Sequence, residues 1–139
     1  MREPGRLGKS RMPSLVATFW ISFAITLLLV GGTVFTGLSH RRRVHVGFAL
    51  CTVASLIGTI VLAERLGAAR NFPAAEMRVH LWFAKSAALA VVPVALTGVA
   101  LWRWPRARWA HRAAVVLFLL LTVIATATGT WAYGLSTPK

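Results

Sequence analysis

Residues 79–134 hold two long apolar runs, VHLWFAKSAALAVVPVALTGVALW from Val79 and AAVVLFLLLTVIATATGTWAY from Ala113, separated only by the basic segment RWPRARWAHR. A helix of about twenty apolar residues crosses the ~30 Å hydrocarbon layer of a bilayer, so each run is long enough to span it. Arg103, Arg106, Arg108 and Arg112 cannot enter hydrocarbon cheaply, and the indoles of Trp102, Trp104 and Trp109 prefer the headgroup layer, so the segment between the runs is expected to turn at the membrane surface. A hairpin of two transmembrane helices is the only compact solution open to such a stretch.

The first half of the chain repeats the plan. Residues 14–38, SLVATFWISFAITLLLVGGTVFTGL, form a first span, too long for the apolar region of a cleaved leader and without a convincing cleavage site. SHRRRVH at 39–45 is a tight basic turn, and a second span follows over about 44–63. Gly67, Asn71 and Pro73 predict a loop over 66–78 before a third span over about 79–102 and a fourth over about 110–134. Residues 1–13 carry four cations with Pro and Gly and are expected to be a headgroup-bound tail. Short connections force neighbouring helices antiparallel, which predicts an all-α membrane protein: one integral domain, an up-down-up-down bundle of four transmembrane helices.

Composition supports this reading. The 139 residues are 57% hydrophobic and contain no Asp, too little polar surface to coat a soluble globule of this size. The net charge of +13 sits almost wholly between the apolar runs, so anionic lipids rather than nucleic acid are the expected counter-ions, with other membrane subunits or further copies of the chain as protein partners. The two compact arginine turns carry seven Lys/Arg and the opposite side eight, so basic-residue counting ties; the denser turns are assigned to the cytoplasmic side. Cys51 cannot form an intrachain disulfide and is expected in the core. The small-residue pairs Ala54/Gly58, Ala84/Ala88 and Ala125/Gly129 are expected to be helix contacts, and Pro93 to kink the third helix. Thr36-Gly37 and Thr97-Gly98 occupy similar places near the ends of the first and third spans, a hint of duplicated hairpins.

Few residues can carry chemistry. His45 and His111 each begin a helix on the same membrane face, and the second and fourth helices of such a bundle are usually diagonal. The pair is therefore a candidate for the two axial ligands of a haem b, with the Arg43 and Arg112 guanidinium groups, beside Arg41, Arg42, Arg106 and Arg108, as contacts for the propionates. His40 and His45 have no metal-site spacing of their own, and no protein-built metal site is expected. Lys85 lies about 9 Å into the third span and needs either a partner or a route to water. Glu64, His80 and Lys85 are a candidate polar cluster at the opposite face, with Glu76 as a second acid and snorkelling of the lysine as the alternative. No nucleophile-base set, paired carboxylates or Cys motif is visible, so no enzymatic activity is expected.

HRRRVHVGFAL at 40–50, VHLWFAKSAALAVVPVAL at 79–96, HRAAVVLF at 111–118 and VIATATGTWAYGL at 123–135 together resemble a small four-helix bacterial membrane family, long classed as of unknown function, that includes the CtaM/YozB-type haem-copper oxidase maturation factor. The resemblance spans Ser39 to Tyr133. It implies a multi-pass protein of the bacterial cytoplasmic membrane, acting as a non-enzymatic accessory or assembly protein of a respiratory haem-copper oxidase, with His80 and His111 as the residues of interest. The histidines at helix starts leave two other readings beside it: a haem-b electron-transfer subunit, and a structural subunit of a larger membrane complex.

Overall fold

The computed structural model describes residues 11–39 and 41–139. Among them, four long helices account for most of the chain: α1 Arg11–Leu38, α2 Arg42–Ala69, α3 Ala74–Ala100 and α4 Arg108–Gly134, the last preceded by a 3-10 turn, Pro105–Ala107. All four are long and apolar enough to cross a membrane, so the protein is an all-α, multi-pass membrane protein as the apolar runs require. The tail reading for residues 1–10 lies outside the described residues, while Arg11, Met12 and Pro13 belong to α1. The helices group as two compact units, α1 with α2 and α3 with α4.

The loop expected over 66–78 is shorter than its glycine and proline suggested, because α2 continues through Gly67 to Ala69 and α3 starts at Ala74. Leu66, 3% exposed, is buried in the last turns of α2, and that burial outweighs the modest helix penalty of one glycine. Pro73 sets the entry to α3 with extended backbone, and Glu76 in the first turn complements the helix dipole. No acidic residue stands in the first turn of α2 or α4, where Arg42, Arg43, Arg108 and Trp109 sit instead.

The seam between α1 and α2 is built from hydroxyls. Ser22 and Thr59 lie 2.7 Å apart, Thr26 is 2.7 Å from Ser55 and 2.9 Å from Thr59, and Thr33 is 2.8 Å from Thr52. In hydrocarbon a hydroxyl must find an acceptor, and Thr26, Thr33 and Thr52 also donate back to the carbonyls of Ser22, Leu29 and Phe48 on their own helices. The seam-facing positions of α2 are therefore Thr52, Ser55 and Thr59. Their neighbours Cys51 and Gly58 are turned about 100° away: Cys51 is exposed rather than in the core, and a side chain added at Gly58 would meet nothing within 4 Å. Farther toward the turn, the Phe48 ring lies across Gly32, with a ring carbon 2.5 Å from where a Cβ would stand.

The ladder gives a direct expectation. A double-mutant cycle of Thr26→Val and Thr59→Val, read by unfolding in detergent, should return a coupling of about 0.6 kcal/mol and no more than about 1.7 kcal/mol. Strict additivity would show that the two hydroxyls do not support each other.

The α3–α4 seam uses small residues instead. Ala87, Ala90 and Ala132 are buried, and among the described residues Leu66 is the only other buried apolar side chain. Of the expected small pairs in this half, Gly129 lies in the seam, whereas Ala87 and Ala90, not Ala84 and Ala88, are the buried alanines of α3. Helix α3 runs unbroken through Pro93, and Thr97 donates to the Pro93 carbonyl at 2.6 Å.

Candidate functional site

Three histidines sit in the two seams, each against the glycine of a Thr-Gly dipeptide on the neighbouring helix. His45 is the fourth residue of α2, and two of its ring atoms stand 3.1 and 3.2 Å from where Gly37 would carry a Cβ. Its Nδ1 lies 2.9 Å from the Thr33 carbonyl, one turn before that glycine. A carbonyl only accepts, so Nδ1 carries the proton and Nε2 carries the lone pair. The Thr36 hydroxyl donates to the same carbonyl at 3.1 Å.

His80, near the start of α3, repeats the arrangement against α4. Its ring atoms come within 2.8 and 2.9 Å of a Cβ on Gly129, its Nδ1–H donates to the Ala125 carbonyl at 3.1 Å, and the Thr128 hydroxyl donates to that carbonyl at 3.2 Å. His111, the fourth residue of α4, packs more loosely on Gly98, at 3.4 Å. Its Nδ1 lies 3.1 Å from the Thr97 hydroxyl, whose one proton goes to the Pro93 and Val94 carbonyls, so the hydroxyl accepts from Nδ1–H. All three imidazoles thus have one orientation rule: ring on glycine, Nδ1 held by the neighbouring helix, Nε2 as the lone-pair nitrogen.

The glycines are needed because a ring this close to a helix backbone leaves no room for a methyl group. Thr36 and Thr128 turn their hydroxyls back onto the carbonyls that His45 and His80 use, whereas Thr97 turns its hydroxyl onto its own helix and itself accepts from His111. Thr33, Thr97, Ala125, Gly37, Gly98 and Gly129 are the positioning residues that histidine-centred reading of the sequence passes over. The signal for them is the Thr-Gly dipeptide, present three times.

Arg43 and Arg112 are exposed, close in sequence to His45 and His111. The arginine-rich starts of α2 and α4 bring cations to the positive end of each helix dipole, an arrangement that an anion there relieves. Trp102, Trp104 and Trp109 are exposed around the turn between α3 and α4, as an interfacial belt requires. Glu64 and Lys85 are each exposed on their own hairpin. Lys85 follows His80 by five residues and so points about 140° away from it around α3, which separates the lysine from the imidazole instead of joining them in one cluster. His40 lies outside the described residues. Among the described residues no three His, Cys, Asp or Glu side chains gather as a metal site.

Comparison with known proteins finds no matching family model, no matching curated protein and no matching solved structure.

Proposed function

We propose that this protein binds haem b in the membrane and serves as a non-enzymatic accessory of a respiratory complex, with His45 and His111 as the residues that would hold the iron. The observation that carries the reading is the hydrogen bond held by each Nδ1. A metal-ligating imidazole nearly always donates its other N–H to a carbonyl, carboxylate or similar acceptor, which fixes the tautomer and raises the basicity of the ligating nitrogen. His45 and His111 both have that support. Among the described residues no three His, Cys, Asp or Glu side chains gather, so a metal bound there must bring further ligands with it, as the iron of a tetrapyrrole does.

Arg43 and Arg112 supply guanidinium groups near the ligating histidines for the two propionates. Iron in such a site supplies one-electron chemistry; the chain supplies two oriented nitrogens, cations and an apolar surround. The resemblance over residues 39–133 adds the respiratory haem-copper oxidase as the complex served and the bacterial cytoplasmic membrane as the location. The test is the visible spectrum of protein purified from haem-replete membranes. A Soret band that sharpens and shifts on reduction, at a stoichiometry of one haem or more per chain, is expected. Folded, helical protein with no haem overturns the proposal and favours the structural-subunit reading.

A further inference from the structure

We infer that the outer face of α4 binds an anionic phospholipid, with the phosphate on Arg112 and one acyl chain in the groove that runs from it toward the middle of the membrane. The inference goes beyond the haem reading and does not rest on it.

Trp109, Arg112, Ala113, Val116, Leu117 and Leu120 line an open groove of about 460 Å³. Their three- and four-residue spacing places them on one face of α4, and all six are exposed. His111, one position from Arg112 and so about 100° round the helix, turns instead to Gly98 on α3. The groove exists because Ala113 is small: its methyl group lies between the Trp109 indole and the branched side chains of Val116 and Leu117, which stand one turn to either side.

Length selects the occupant. From Trp109 to Leu120 the helix rises about 16 Å, half of the ~30 Å hydrocarbon layer. The groove therefore runs from headgroup level, where the Trp109 indole stands 80% exposed, to the midplane. One acyl chain of one leaflet has that reach and that direction. A helix of a second copy would cover the span from end to end, but the groove stops at Leu120, the thirteenth of the 27 residues of α4.

Charge selects the headgroup. Arg112 is the one charged residue of the groove and lies near its headgroup end. The α3–α4 hairpin has a single carboxylate, Glu76, in the first turn of α3. Gly98, against which His111 packs, is twenty-two residues beyond Glu76, about 33 Å along the helix axis. No acid of the hairpin can therefore neutralise Arg112. A lipid phosphate can, through the charge-assisted bidentate contact that the planar guanidinium favours, and the positive end of the α4 dipole adds to the attraction. The choline of a zwitterionic lipid would bring one more cation to a turn that already holds Arg103, Arg106 and Arg108, which an anionic headgroup avoids. A bidentate phosphate uses two of the five N–H donors of Arg112, so a haem propionate can share the same guanidinium.

The experiment titrates full-length protein in detergent with phosphatidylglycerol or with phosphatidylcholine of identical chains, read by native mass spectrometry. Wild type is expected to hold one phosphatidylglycerol per chain in preference to phosphatidylcholine. Arg112→Gln should weaken phosphatidylglycerol binding about five-fold, the weight of one cation at an anionic surface. Ala113→Leu fills the groove and keeps every charge, and should displace the lipid; because Ala113 is exposed, the variant should stay folded, as circular dichroism checks. Arg103→Gln removes a charge from the same turn but outside the groove, and should leave the lipid bound. Equal binding of the two lipids by wild type, equal loss in Arg103→Gln and Arg112→Gln, or full retention in Ala113→Leu overturns the inference. So does a dimer in wild type that Ala113→Leu dissociates with no change in bound lipid, which would assign the groove to a second copy. Bound haem has its own mass in the same spectra, so the failure of this site and the failure of the haem reading are told apart.

Discussion

If His45 and His111 hold a haem, His45→Ala and His111→Ala should each abolish the low-spin absorption of haem-loaded protein, whereas His80→Ala should leave it in place. Loss of one axial nitrogen converts the iron to a five-coordinate, high-spin state or releases it, so the effect is the disappearance of a spectral species and not a small shift. The three variants remove the same side chain from the same kind of packing site, each against a Thr-Gly glycine. General damage to helix contacts would therefore affect all three alike, and His80→Ala most, since its ring is packed closest. A milder companion is Thr97→Val, which removes the acceptor for His111 Nδ1–H but keeps the imidazole. Outer-shell partners of this kind are worth about 10–100-fold in metal affinity, so haem should be retained with weaker affinity. Low-spin absorption that survives both His45→Ala and His111→Ala would remove them from the ligand set.

Gly32→Ala is the largest expected change in stability. The Phe48 ring lies 2.5 and 2.8 Å from the position that a Cβ would take, closer than carbon atoms can approach, so the ring must leave its place in the α1–α2 seam or the helices must part. Overpacking of this kind costs about 1–3 kcal/mol. The effect should be read by denaturant or SDS unfolding in mild detergent, and paired with Gly31→Ala, one residue away, where nothing lies within 4 Å. Gly31→Ala should be neutral or slightly stabilising, because alanine is the better helix former. Equal responses at the two positions would contradict the packing of Phe48 on Gly32.

Much of this architecture is legible in the sequence because bilayer thickness leaves little choice. Four apolar runs of sufficient length with short basic connections give four membrane-spanning helices, with α2 starting at Arg42 and the Trp-Arg turn before α4 falling where the arginines require. Helix ends are less legible. Gly67 reads as a breaker, but α2, with Leu66 buried, continues past it to Ala69. The choice of seam is harder still, because in lipid both small residues and hydroxyls make good contacts. Ala54 and Gly58 have the right spacing, yet Thr52, Ser55 and Thr59 can also satisfy one another's hydrogen bonds with α1, and that face wins.

The histidines themselves are visible in the sequence; their supports are not, because a support here is a backbone carbonyl or a missing side chain. Thr33 and Ala125 contribute carbonyls, which any residue could offer, and Gly37 and Gly129 contribute only space. The recurrence of Thr-Gly near helix ends is the one trace that the arrangement leaves. Lys85 looks like a neighbour of His80 when counted along the chain, but five residues of helix turn it to another face.

Pulsed EPR of the ferric protein, prepared once with natural-abundance histidine and once with histidine labelled with nitrogen-15, tests the ligation most directly. Ligation through Nε2 of His45 and His111 predicts a low-spin signal with hyperfine couplings from two imidazole nitrogens, changed in both by the label and lost in His45→Ala and in His111→Ala. A haem signal whose couplings do not respond to the histidine label, or the absence of any haem signal from folded protein, would contradict it.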